Sequence, residues 1–104
     1  AVSAGIEDTA GFEAAAELAV EWIQAHRAAI LDGSMATTPA SVTNINVPGC
    51  STGELRSVLE VPASSAPPAS LEPVDCAAPA PAVQPTDDVS AIAAGYASQS
   101  EIGV

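Results

Sequence analysis

GFEAAAELAVEWIQAHRAAIL, residues 11–31, is the stretch that decides the fold. Its larger apolar residues recur at steps of three and four, and its glutamates fall mostly on the other side, which is the pattern of an amphipathic helix. Asp8 or Thr9 can cap the amino end, and Gly33 can end the helix in the left-handed conformation. The sequence therefore predicts one long helix with an apolar face. That face comprises Phe12, Leu18, Ala19, Trp22, Ile23, His26 and Ile30.

Short strands are predicted on either side of this helix. Residues 1–6, AVSAGI, are typical of the end of an apolar strand that enters a turn. Residues 41–47, SVTNINV, are β-branched and apolar, and Pro48 and Gly49 end the run abruptly, which predicts a second strand. Residues 54–61, ELRSVLEV, alternate in polarity and predict either an edge strand or one arm of a hairpin.

The composition changes sharply after this third strand. Residues 62–85 hold seven of the nine prolines and seven alanines, which predicts an extended or irregular excursion instead of a packed element. A short helix is expected next over residues 87–94, capped by Thr86 and closed by Gly95, and residues 96–102 follow as an extended segment. The chain thus divides into the parts 1–33, 41–61, 62–85 and 86–104.

The composition limits both the core and the partners. The hydrophobic fraction is 48%, but 23 of these residues are alanine and only three are aromatic, so burial stabilises the chain weakly. Thirteen acidic residues against two arginines give a net charge of −11, which repels phosphate backbones and anionic membrane surfaces. No run approaches the roughly 20 apolar residues of a membrane-spanning helix. We therefore expect neither a nucleic-acid polymer nor a membrane among the partners.

The only two cysteines, Cys50 and Cys76, leave three interpretations open. A disulfide between them would close a loop of about 25 residues and contribute roughly 3 to 4 kcal/mol in the chain-entropy model. Two buried free thiols are the second interpretation. Redox or zinc chemistry is the third and weakest, because the spacing fits neither a CxxC motif nor a four-ligand site. The favoured disulfide implies a secreted protein or one on the exterior of the cell envelope, whereas free thiols leave a cytoplasmic location open.

Common catalytic signatures are missing from the sequence. It contains no GxxxxGKS or GxGxxG phosphate loop, no HExxH and no GxSxG elbow. His26, the only histidine, lies on the apolar side of the long helix and is interpreted as a packing residue. Asp87 and Asp88 resemble ligands for a hard cation, but the helix dipole alone favours acids at a helix start. Asn44 and Asn46 could be ligand contacts at a strand end, but the favoured interpretation is that they bond to local backbone. No residue is assigned to catalysis, to a cofactor or to a metal.

Five short segments stand in an order that points to one family. The NINVP run at 44–48 matches that family's NVNVP strand, and Thr86, Asp87, Gly95, Tyr96 and Ser98 match its terminal TD…GY-V-S stretch. Over nearly its whole length the chain resembles the carboxy-terminal half of the SurE family, the survival-protein nucleotidases, and more specifically its exported actinobacterial branch. The five segments are AVS (1–3), EAAAELAVEWIQAHR (13–27), TNINVPGC (43–50), EVP (60–62) and TDDVSAIAAGYAS (86–98).

The resemblance implies an α/β fold with a Rossmann-type core, to which this chain contributes a long helix, strands and a terminal short helix. It also implies a hydrolase. The family's enzymes are metal-dependent phosphatases, 5′/3′-nucleotidases that act on nucleoside monophosphates. Their expected cofactor is Mg²⁺ or Mn²⁺, and a swapped carboxy-terminal extension makes a homo-oligomer the expected state.

The family's metal ligands do not fall within this segment. They come from an Asp-Asp-Gly motif after the first strand, a serine and an asparagine, all of which lie upstream of the region that matches Ala1. Asp87 and Asp88 do not replace that pair, because they match the terminal helix and no glycine follows them. The segment by itself is therefore expected to be inactive and to bind no metal.

Two classes of function follow from this interpretation. In the first, the chain is the scaffold part of an exported nucleotidase, a fragment or partial domain whose true start lies upstream. In the second, it is a small exported non-catalytic binding or interaction module held together by a disulfide between Cys50 and Cys76. The coding sequence upstream of Ala1 discriminates between them, and cooperative unfolding of the isolated chain would support the second.

Overall fold

The computed structural model describes residues 1–5, 9–37, 41–66 and 72–103. These residues form a mixed α/β structure, in which a four-stranded sheet carries one long and one short helix. The elements in chain order are β1 (Val2–Ala4), α1 (Thr9–Leu31), a 3-10 turn (Ser34–Thr37), β2 (Ser41–Val47), β3 (Cys50–Thr52), β4 (Val58–Glu60), β5 (Val74–Asp75), α2 (Asp88–Ala93) and β6 (Ala97–Gly103).

The main sheet has the strand order β1-β2-β6-β4. The β1–β2 and β4–β6 pairs are parallel, whereas β2 and β6 run antiparallel over six paired positions from Ser41–Gly103 to Asn46–Ser98. α1 makes the crossover that a parallel β1–β2 pair requires. A mostly parallel sheet with a crossover helix belongs to the α/β class that the sequence predicts, and it is compatible with a Rossmann-like arrangement.

α1 packs on the sheet through small residues. Gly11 and Ala15 are buried on its inner side, and the helix lies against β1 and β2. Ala15 forms the core with Ile45 and Val47 of β2 and Ala97 of β6, all less than 10% exposed. The core is therefore built largely from alanine and β-branched side chains, so each member buries little apolar surface.

The predicted apolar face of α1 is correct only in part. Leu18 and Trp22 pack against the core, as expected. Phe12 and Ile23 are each 53% exposed, however, and Ile30 is 46% exposed. A residue advances by about 100° around a helix, so Phe12, Ile23 and Ile30 form a second stripe beside the packed one. One sheet covers only one of the two stripes. We call the exposed set, Phe12, Ile23 and Ile30, the flank stripe.

The strand predictions hold with one correction. β1 and β2 occur where the sequence places them, and β2 has the predicted bounds. The third strand is shorter than 54–61, because only Val58–Glu60 joins the sheet. It lies at the edge of the sheet, which confirms the edge-strand prediction, and it pairs with β6 in parallel, so the hairpin alternative is wrong. The reason is topological: the excursion and α2 carry the chain back before β6 begins, and a hairpin needs direct antiparallel neighbours.

The terminal helix is capped one residue later than predicted. Asp87, not Thr86, is the amino-terminal cap of α2, and its carboxylate accepts from the Ser90 backbone N–H at 2.8 Å and from the Ser90 hydroxyl at 2.6 Å. Aspartate is at least as good a cap as threonine, and a partner three residues later completes a capping box. Gly95 closes the helix with a φ of 84°, as expected for a left-handed stop.

The described part of the excursion, residues 62–66 and 72–85, is irregular except for β5. β5 pairs in parallel with β3 in a separate two-stranded sheet. A disulfide joins Cys50 in β3 to Cys76 just after β5, with the Cα atoms 5.5 Å apart. This confirms the favoured interpretation of the two cysteines.

Asp8, one of the two residues predicted to cap the amino end of α1, lies outside the described residues.

Candidate functional site

A groove of about 350 Å³ opens between α1 and the β6–β4 side of the sheet. It exists because α1 lies over β1 and β2 and leaves the other half of this sheet face uncovered. One wall is helical and the floor is formed by the sheet. The lining residues are Leu18, Glu21, Trp22, Ala25 and His26 of α1, Ile45 of β2, Gln99 of β6, and Val58 and Glu60 of β4.

The strand register builds the floor of the groove. Ile45 is paired with Gln99, and Gln99 is paired with Glu60, so these three side chains form a row across β2, β6 and β4. Val58 lies two residues from Glu60 and therefore points to the same face. The floor thus changes from apolar at the centre of the sheet to acidic at its edge.

The helical wall is an aromatic pair. The Trp22 and His26 rings are stacked, with centroids 4.2 Å apart and planes inclined by 19°. His26 Nδ1 lies 2.8 Å from the Trp22 carbonyl oxygen. Because a carbonyl only accepts, Nδ1 is the donor in this hydrogen bond. His26 is half-buried and lines the groove together with Trp22.

Acidic side chains stand on both sides of the groove. Glu21 rises from α1 and Glu60 from β4, and both side chains are exposed. Neither carboxylate forms an ion pair within the described ranges 1–5, 9–37, 41–66 and 72–103. In a chain of net charge −11, such a groove favours cationic over anionic ligands.

The pair Asp87 and Asp88 serves α2 and the loop before it. Asp87 caps the helix, and one Asp88 oxygen accepts from the Ser64 N–H at 2.7 Å and from the Val89 N–H at 2.9 Å. Among the residues that the structure describes, no group of three or more His, Cys, Asp or Glu side chains could hold a metal ion. The described residues therefore do not fit the divalent ion that the family resemblance implies.

The capping box of α2 leads to a testable prediction about the pKa of Asp87. The Ser90 hydroxyl and the Ser90 backbone N–H donate to Asp87 and hold the pKa of that carboxyl below its usual value. Ser90→Ala removes the hydroxyl donor, so we expect the pKa of Asp87 to rise toward the ordinary value. A carboxyl whose pKa is lowered by folding stabilises the fold above its unfolded pKa, and this contribution is lost as the pH falls through the lowered pKa.

Carboxyl chemical shifts followed by NMR from pH 7 to pH 2 measure this pKa directly. Ser57→Ala, at an exposed position before β4, is the matched control and should leave the Asp87 titration unchanged. The variant Ser90→Ala should also lose less stability on acidification than the parent protein. An unchanged pKa of Asp87 in Ser90→Ala would contradict the capping role of the hydroxyl.

The asparagines of β2 lie in polar rows that cross the sheet. The Ser3 hydroxyl donates to Asn46 Oδ1, so Asn46 bonds to a side chain of the neighbouring strand and not to local backbone as predicted. Asn46 is paired with Ser98, and Asn44 with Ser100. Ser98 and Ser100 are buried, and their hydroxyl oxygens have no hydrogen-bond partner among the described residues. Asn44 and Asn46 are half-buried and Ser3 is exposed, so the rows run from the buried centre of the sheet to its surface at β1.

Arg56 joins three structural parts. Its Nε donates to the Ala94 carbonyl at 2.9 Å, and its Nη2 donates to the Ala78 carbonyl. The guanidinium carbon also lies 5.8 Å from the centre of the Tyr96 ring. Arg56 therefore links the end of α2 to the loop after Cys76, and its guanidinium bonds to groups of the fold itself.

Sequence reasoning did not single out Glu60, Gln99 or Arg56. The alternation over 54–61 was a usable signal, because it places Val58 and Glu60 on one face of a strand. That this face lies beside α1 depends on the pairing of β4 with β6, in which the paired residues, such as Glu60 and Gln99, are 39 positions apart in the sequence. Such a pairing cannot be read from a local pattern.

Comparison with known proteins found no match: no family model fits the chain, and no curated protein and no solved structure is similar to it. The class that the fold defines is thus a disulfide-bonded α/β domain with a mostly parallel sheet. In the described ranges no helix combines the length and the apolar character needed to cross a bilayer. The disulfide is compatible with an extracellular location.

Proposed function

We propose that this chain is the scaffold part of an exported SurE-type nucleotidase, a metal-dependent hydrolase that releases phosphate from nucleoside 5′- and 3′-monophosphates. The observation that carries the proposal is the flank stripe of α1. Phe12 and Ile23 expose half of their side chains in a protein that has only three aromatic residues and few large aliphatic ones. On an amphipathic helix an apolar stripe is expected to be covered by another part of the protein.

The flank stripe faces a defined side of the sheet. Leu18 and Ala25 line the groove and so face β6 and β4. Phe12 and Ile23 lie on the opposite flank of the helix, given the rotation of about 100° per residue. They therefore face away from β6 and β4, and β1 is the other edge of the sheet. Further strands beside β1, each with its helix, would cover both the edge and the stripe, as in a Rossmann-type core.

The proposal requires a neighbouring part of the protein that covers the flank stripe. On this proposal the neighbour carries the Asp-Asp-Gly motif and the other ligands of Mg²⁺ or Mn²⁺, which supplies the Lewis acid for phosphate ester hydrolysis.

In this function the described residues stabilise the fold, and residues of the neighbouring part carry out the phosphate ester hydrolysis. Ile45 and Ala97 form the centre of the sheet on which α1 is seated. The disulfide anchors the excursion, which suits an exported enzyme. A homo-oligomer built by the terminal segment is the expected state.

A second candidate is favoured by the disulfide and the groove together. A small exported binding module needs a covalent constraint where the core is small, and it needs a concave surface for a ligand. The chain has both features. In this candidate the flank stripe is a self-association surface and no catalytic part exists.

Sequencing the coding DNA upstream of the codon for Ala1 tests the proposal. We expect an open frame that encodes a strand followed by Asp-Asp-Gly. A stop codon directly upstream, or a signal peptide joined to Ala1, would overturn the nucleotidase proposal and leave the binding module.

A further inference from the structure

We propose that the groove between α1 and β4 binds a basic side chain, the guanidinium of an arginine, presented by an extended peptide segment of a partner protein. This site goes beyond the nucleotidase proposal and does not depend on it. Three features of the groove carry the inference: its charge, its aromatic wall and the open strand beside it.

The charge of the groove selects a cation. Glu21 and Glu60 stand on its two sides, on separate elements, and Gln99 between them offers an amide oxygen. Neither glutamate is neutralised by a cation within the part of the chain that the structure describes. The chain's two arginines do not serve this purpose, because Arg56 is bonded to the Ala94 and Ala78 carbonyls and Arg27 lies outside the groove lining.

The aromatic wall and the apolar floor of the groove favour a flat cation over a compact one. A guanidinium is flat and weakly hydrated, so it stacks on aromatic rings and accepts an apolar floor more readily than a compact ammonium does. Trp22 and His26 provide the rings, and Leu18, Ile45 and Val58 provide the apolar surface for the methylene stem.

The edge strand β4 favours a peptide over a small molecule. The N–H of Val61 donates to the Gln99 carbonyl at 3.0 Å, so the preceding Glu60 turns its backbone groups to the outer side of the sheet. β4 has β6 as its neighbour on one side and no strand on the other in the described sheet. A peptide that adds a strand at this edge can place every second side chain on the groove face.

The test uses the fluorescence of Trp22, the only tryptophan of the chain. The oxidised protein, with any upstream region that its frame encodes, is titrated with acetyl-Val-Arg-Val-amide. We expect a saturable change in Trp22 emission. The same peptide with citrulline, which keeps the shape of arginine without its charge, should give no saturable change. Glu60→Gln should lower the affinity for the arginine peptide about five-fold, which is the upper end of the range for an exposed ion pair.

Glu54→Gln is the matched control, since it removes the same charge at an exposed position that does not line the groove. It should leave the affinity within the experimental error of the parent protein. Three results would overturn the site. The citrulline peptide could bind with the same affinity as the arginine peptide, Glu54→Gln could lose as much affinity as Glu60→Gln, or the arginine peptide could give no saturable change in Trp22 emission. Equal affinity for ethylguanidine, which has no peptide backbone, overturns the assignment to a peptide. Circular dichroism of each variant confirms that the fold is retained.

Discussion

Replacing Cys50 and Cys76 by serine is expected to lower the free energy of unfolding by about 3.5 kcal/mol, because the disulfide closes a loop with a sequence separation of 26. In a chain of this size that loss corresponds to a fall in Tm of about 15 to 25 °C. The effect should be large because the core is small and the excursion around Cys76 has few regular elements of its own. Thermal unfolding followed by circular dichroism measures it.

A reductant supplies the control for this prediction. It should lower the Tm of the parent protein to that of the double serine variant and should leave the variant unchanged. A Tm of the double variant within a few degrees of the parent value would contradict the role of the disulfide as the main constraint on the excursion.

Arg56→Met is expected to destabilise the fold by about 2 to 3 kcal/mol, since hydrogen bonds to a charged donor contribute about 1.5 to 3 kcal/mol. The substitution keeps the length and apolar stem of the side chain but leaves the Ala94 and Ala78 carbonyls without their donor. α2 and the loop after Cys76 should both lose protection from amide hydrogen exchange. Chemical denaturation of Arg56→Met and of the parent protein measures the loss.

Arg27→Met is the matched control, because Arg27 is the other arginine of the chain and is exposed on α1. It changes the net charge by the same amount and should alter stability by less than about 0.5 kcal/mol. Equal destabilisation by the two substitutions would show that charge alone, and not the bonds of Arg56, explains the effect.

The local elements of this fold are readable in the sequence because each has a local cause. β2 is a β-branched run ended by Pro48 and Gly49, and the two helices end at Gly33 and Gly95, whose φ values of 77° and 84° favour glycine. The cap of α2 was predicted one residue too early, since Thr86 and Asp87 are both good caps. The choice between them depends on which one meets Ser90.

The packing could not be predicted in the same way. The periodicity of α1 does not distinguish Phe12 and Ile23 from Leu18 and Trp22. Leu18 and Trp22 pack against the core, whereas Phe12 and Ile23 are half-exposed. Small residues decide the contact, because Ala15 allows the close approach of helix and sheet that a larger side chain prevents. The periodicity of large residues does not contain that information.

The groove was also beyond sequence reasoning. Trp22 and His26 are one turn apart and their proximity is local, yet Glu60 and Gln99 reach them only through the pairing of β4 with β6.

The most direct test of the proposed function is the release of inorganic phosphate from adenosine 5′-monophosphate in the presence of Mg²⁺ or Mn²⁺. The assay compares the product of the complete coding frame with the 104-residue chain alone, and each with and without a chelator. We expect metal-dependent release by the complete product and no release above the buffer rate by the chain alone. Release by the chain alone, or none by the complete product, would contradict its role as the scaffold part of a nucleotidase.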